Sequence, residues 1–285
     1  MYLRWLIPYL SVNGGVVAIA WLVCVCERCV RRSMPPPCRE LCCLIASSLA
    51  STALLYTLVF YACWMNLRGR PRVIASGAAA AASSVAWTSI IWHPIGSAFE
   101  RGMERIWGIP SVRASFSATM LAGLGAHLFV FELIFDLAFY LAHRGVHASP
   151  LIYRVVHKLH HSHTHDVSLI SGLQMGPLDV VLTHTVPVLF ALWAMKQLDM
   201  PIHAGIEFSI AKTYLLFQEL YGHAGVAHRG KNFGPAPWLP ALLGFELRAE
   251  DHQRHHIQAT CNFAKRFSIF DKLFGTWQSS ETPTY

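Results

Sequence analysis

The sequence predicts an all-α protein, a multi-span membrane helical bundle capped by histidine-bearing helices. Three observations predict it. Of 285 residues, 54% are hydrophobic and only 14% charged, and the mean hydropathy of +0.38 lies well above that of a water-soluble domain. The apolar runs extend from residue 5 to about 220 and are not gathered in one stretch. Histidines at helical spacing then begin where the longest apolar run ends, in "HRGVHASPLIYRVVHKLHH".

A spanning helix needs about 20 mainly apolar residues. Taken in order, the candidates lie near 5–26, 41–65, 73–92, 117–142, 178–195 and 203–221, which allows four to six spans. The first has no small-x-small cleavage site after "VVAIAWLVCVC" and reads as a retained anchor. "SMPPPC" is a turn or short extended linker, because consecutive prolines cannot sustain a helix. The third candidate is weak, since "ASGAAAAASS" is small and not oily. Arg31, Arg32 and Arg39 precede the second span, and Arg68, Arg70 and Arg72 follow it, so the positive-inside rule leaves orientation open. The fourth pattern runs unbroken from about 117 through His147, longer than the bilayer core requires, so this helix projects out of the membrane. A new helix starts at Pro150, capped by Ser149.

The net charge of +7 comes from short inter-helix segments such as "ERCVRR" and "RGRPR"; without a continuous basic stripe, no nucleic-acid partner is expected. Of the eight cysteines, six lie between Cys24 and Cys43, in and beside a hydrophobic segment; they read as free thiols, with a zinc site at Cys26 and Cys29 or juxtamembrane acylation as alternatives.

The histidines carry the chemistry. Asp136, Tyr140, His143 and His147 follow at i, i+4, i+7 and i+11 and share a helical face. His157, His160 and His161 stand at i, i+3 and i+4, and His252, His255 and His256 repeat that spacing. Imidazole suits iron, zinc, copper and nickel, and eight such groups exceed what one ion takes, so the count points to two metals held by nitrogen. His93, His127, His184 and His203 stand singly and read as ordinary core or surface residues. His163 and His165 are extra ligands or simply part of a polar loop.

"DLAFYLAHRGVH", "LIYRVVHKLHH" and "EDHQRHH", closed by "FDKLFGTW", resemble the HxxxH, HxxHH and HxxHH boxes of the fatty acid hydroxylase and sterol desaturase superfamily. The resemblance covers about 132 to 277, so the chain divides into an N-terminal membrane-spanning region, 1–115, and a catalytic region, 116–285, in one integrated membrane body. It implies a multi-pass endoplasmic-reticulum enzyme whose histidine cap faces the cytosol. It also implies two iron ions, with O2 as co-substrate and two electrons, hydroxylating a lipid. "CNFAKRFSIFDKLFGT" is most similar to the cholesterol 25-hydroxylase and sterol 4-methyl oxidase branches, which makes a sterol the first expectation; desaturation, or hydroxylation of a fatty acyl or sphingoid base, is the alternative. No flavin or nicotinamide fingerprint is present, so electrons are expected from a partner such as cytochrome b5 with its reductase.

The family places a further ligand in an "HSG" motif, matched here by His223 in "ELYGHAG" with alanine for serine. The ligand set implied is His143, His147, His157, His160, His161, His223, His252, His255 and His256. Asp136 and Glu219 are expected to orient His143 and His223 from behind. Asp251 and Gln253 stand where some relatives carry His and Asp in "HHDFHH". A membrane zinc transporter is the competing class, but its ligands would lie near the bilayer midplane, whereas these begin where hydrophobicity ends.

Overall fold

The computed structural model describes residues 3–33, 50, 52–55, 57–59, 61, 82–83, 118–164, 167–203, 205–224 and 234–279. The proposed spans at 41–65 and 73–92 fall largely outside these residues, as do "SMPPPC", His93, His165, His228 and the side chains of the six clustered cysteines.

Helix α1 is Leu3–Ser33 and α2 is Ala118–Ala148, each 31 residues long. The long fourth helix read from the apolar pattern is therefore present, and it stops where expected. Ser149 is extended (φ −120, ψ 121) and Pro150 opens the next turn. A residue before proline is driven out of the helical region, which ends α2. The Ser149 hydroxyl accepts from Ile152 N at 3.4 Å.

The following segment is not one regular helix. Pro150–Ile152 is α-helical, Tyr153–His157 winds as a π-helix, and His160–Ser162 tightens to a 3-10 turn. Helix α3, Pro177–Gln197, holds another π-helical stretch at Val180–Thr185. Pro187 has no N–H to give to Thr183, and the turn before it is wound wider. Helix α4 is Ile206–Gly222, α5 is Ala249–Gln258 and α6 is Ile269–Leu273. Asp251, one of the departures noted above, caps α5: its carboxylate accepts from Arg248 N at 2.8 Å. Among the described residues there is no strand, only an isolated bridge between Glu246 and Phe267.

Helix α2 packs along α3, and α1 along α4. The core stripe of α2 is Leu128, Phe131, Phe135 and Phe139, at near-helical repeats. Successive ring centroids lie 6.4 and 6.0 Å apart, and the next residue in that row is His143, 5.0 Å from Phe139. The oily stripe thus runs straight into the histidines. On α3 the opposite happens: Leu178, Leu182, Val186, Phe190 and Trp193 form an exposed apolar row. Two helices among the described residues are long and apolar enough to cross a membrane, Gly123–Ala148 and Pro177–Gln197. The segment expected to span at 203–221 is α4, 17 residues and buried along most of its length. It is an inner helix with buried Glu207, Gln218 and Glu219.

Candidate metal centre

All nine predicted histidines converge, and they sort into two groups. His143, His147, His157, His161 and His255 bring ring nitrogens within 4.8 Å of one another; so, separately, do His160, His223, His252 and His256. Each HxxHH triplet is split. His157 and His161, at i and i+4, join the first group while His160 joins the second; His252 and His256 join the second while His255 crosses to the first. On one helical face the three members of a triplet would serve a single site. Instead the i and i+4 members pair and the i+3 member crosses to the other group, on the regular helix α5 as on the π-to-3-10 segment. The two groups share a wall, with the rings of His161 and His256 4.6 Å apart.

Within each group the Nε2 atoms face one another. Separations are 2.9 Å for His143 with His157, 3.1 Å for His161 with His255, 3.0 Å for His223 with His252 and 3.2 Å for His252 with His256. Two nitrogens held at right angles about 2.1 Å from one ion stand about 3.0 Å apart. His147 Nε2, too, is buried with no hydrogen-bond partner among the described residues. Buried nitrogens of this kind are rare unless something else binds there. Burial, reinforced by neighbouring imidazoles, holds His160, His255 and His256 well below the usual histidine range and pushes His161 down to about 3. The rings are therefore neutral, the form that binds a cation. The donor set fits two nitrogen-bound transition-metal ions.

Behind the rings, acceptors fix which nitrogen faces inward. His143 Nδ1 donates to the carbonyl of Phe263 at 2.7 Å, and His255 Nδ1 to that of Cys261 at 2.8 Å. The loop bearing those carbonyls is clamped twice. Asp271 accepts from Phe263 N and Ala264 N at 2.8 and 2.9 Å. Asp136 accepts from the backbone N–H groups of Lys265, Arg266 and Phe267 at 2.7 to 2.9 Å. This corrects the role expected of Asp136: its carboxylate is taken up by three backbone amides of the loop that supports His143, and it acts on that loop and not on the ring.

Glu219 supports His223 chiefly through its backbone. His223 Nδ1 donates to the Glu219 carbonyl at 2.8 Å, with the carboxylate at 3.4 Å. The carboxylate itself is paired with the buried Lys265 ammonium. Asp179 escaped the sequence reading: buried in the first turn of α3, it accepts from His157 Nδ1 at 2.9 Å. An acid placed after "GP" at the head of an apolar run was the available signal. His184, taken as ordinary, joins neither group yet contacts Thr183 and Lys265 at 2.8 and 2.7 Å. His203 is bonded to Glu207 at 2.8 Å, and His163 and His127 belong to neither group.

The family profile described as Fatty acid hydroxylase matches residues 128–276. The chain is similar to the fatty acid hydroxylase vlmA of Lecanicillium sp, 28% identical over 54% of this chain and 42% of the relative. Human cholesterol 25-hydroxylase is 26% identical over 55% of this chain and 53% of the relative. The methylsterol monooxygenase erg25A of Aspergillus fumigatus is 29% identical over 55% and 48%. The match thus spans about half the length of these relatives. No solved structure matches the chain.

Proposed function

The chain belongs to the fatty acid hydroxylase family, and we propose that it is a membrane-bound di-iron oxygenase that hydroxylates a lipid, a sterol first of all. The observation that carries this reading is the sorting of nine histidines, eight of them buried, into groups of five and four. The similarity to a cholesterol 25-hydroxylase and a methylsterol monooxygenase supports the sterol.

His143, His147, His157, His161 and His255 would hold one iron, and His160, His223, His252 and His256 the other. When bound, the irons supply what no side chain can: reduction of O2 by two electrons and two protons, one oxygen entering a C–H bond and the other leaving as water. The chain's own residues do the rest. Phe263 O, Cys261 O, Asp179 and Glu219 O hold the Nδ1 protons of four ligands, so their Nε2 lone pairs point inward. Phe131, Phe135 and Phe139 are buried along α2 up to His143 and make that side of the first group apolar. In this reading α2 and α3 cross the endoplasmic-reticulum membrane, the histidine cap faces the cytosol, and cytochrome b5 with its reductase delivers the electrons.

The test is turnover by the purified full chain with cytochrome b5, its reductase and a mixed sterol and fatty-acyl extract under 18O2. A sterol gaining one labelled oxygen is expected. A labelled fatty acyl or sphingoid base would move the substrate class, and a lipid losing two hydrogens without label would make the enzyme a desaturase.

A further inference from the structure

After α2 the chain turns back at Ser149 and Pro150. The ring of Tyr153 then lies 5.1 Å from that of His147, and the ring of His157 lies 4.7 Å from that of His143. Tyr153–His157 therefore runs back down α2, toward its apolar stretch and not away from it. One side of residues 150–162 faces inward, where Val156, His157, His160 and His161 are buried. The other side presents Leu151, Ile152, Val155 and Leu159, with Leu151 71% and Val155 64% exposed. Leu151, Val155 and Leu159 recur at every fourth residue, and exposed Arg154 and Lys158 stand among them.

The two apolar helices mark the depth of this outer face. His157 donates to Asp179 in the first turn of α3 at 2.9 Å, and the neighbouring Leu178 opens the exposed apolar row of that helix. On α2, Leu141 is exposed two residues before His143. Both helices thus keep outward apolar side chains up to the level of His143 and His157, and Val155 and Leu159 continue that surface. Large aliphatic residues interleaved with cations, whose long stems lie along them while their heads stay wet, suit the headgroup boundary of a negatively charged leaflet. A second copy of the chain on the same face would instead gather the cations of both copies at one interface. We propose that the outer face of residues 150–162 is seated on an anionic lipid leaflet, with its aliphatic side chains at the acyl boundary and Arg154 and Lys158 on lipid phosphates. The segment that supplies His157, His160 and His161 then also anchors the histidine cap at headgroup level.

The inference rests on the reading of α2 and α3 as membrane spans, and the experiment separates the two. Full-length protein is placed in nanodiscs of mixed phosphatidylcholine and phosphatidylserine, with cytochrome b5 added. A benzophenone photo-crosslinker replaces Val155, Leu151 or, on the α3 row, Phe190, and the adducts are identified by mass spectrometry. All three positions should label phospholipid. At Val155 and Leu151, phosphatidylserine should be enriched over its share of the disc by up to about 5-fold per cation. Arg154→Gln combined with Lys158→Gln should abolish that enrichment. Phe190, three turns down α3 from Asp179, should show none. At Val155 and Leu151, adducts to a second copy or to cytochrome b5, the absence of lipid adducts, lipids in the proportions of the disc, or an enrichment that survives the double variant overturns the inference. Phe190 without lipid adducts overturns the membrane reading itself.

Discussion

Gly172 sits so close to His223 that a Cβ there would lie 2.9 Å from the ring Cγ. Gly172→Ala should displace the imidazole and lower metal content with little loss of fold. Gly145 is the control, since it lies between two ligands on α2 with open space around it. Gly145→Ala should leave metal content unchanged and stabilise the helix by up to about 1 kcal/mol. Metal analysis and thermal unfolding of both variants check this. His160→Ala and His255→Ala should each reduce turnover more than about 100-fold, beyond the cost of losing an outer partner, while membrane insertion persists. The ligands themselves were legible in the sequence because each lies in a short motif at helical spacing. Asp179 and Lys265 were not, because their partners stand 22 and 81 residues away, as with His157 and His184.

Element by element, α2 was readable to its last turn: an unbroken apolar repeat, then Ser-Pro. The division of each HxxHH triplet follows the i, i+4 pairing, on the regular helix α5 as on the π and 3-10 segment; what spacing left hidden was that a second histidine group stands on the i+3 side. The place of Asp136 was likewise hidden; seven residues before His143 it suggests a local partner, yet its amides lie 129 to 131 residues on. Asp136→Ala would strand three buried N–H groups, each costing about 1–3 kcal/mol. The variant should therefore lose several kcal/mol of stability and both carbonyl supports together. Asp136→Asn, which keeps an acceptor, should lose less; denaturant unfolding in detergent distinguishes them. Helix α4, read as a span from its apolar composition, is buried along most of its length and carries Glu207, Gln218 and Glu219 inside.

Across the whole molecule, the buried neutral histidines make the metal-free protein acid-sensitive. His160, His161, His255 and His256 have folded values below the ordinary 6.5. Below about pH 6.5 the unfolded chain therefore binds more protons than the native one, and stability falls as pH drops, by up to about 1.4 kcal/mol per unit for each group. Above that pH these groups contribute no slope. Unfolding of metal-free protein from pH 5 to 8 should show the decline on the acid side, and bound metal should oppose it, since protons and metal compete for the same nitrogens. The central claim is that the two histidine groups each hold an iron, and metal stoichiometry of the intact protein tests it most directly. Protein purified after iron-replete expression should carry close to two iron ions per chain and little zinc; one zinc per chain with no iron would contradict the account.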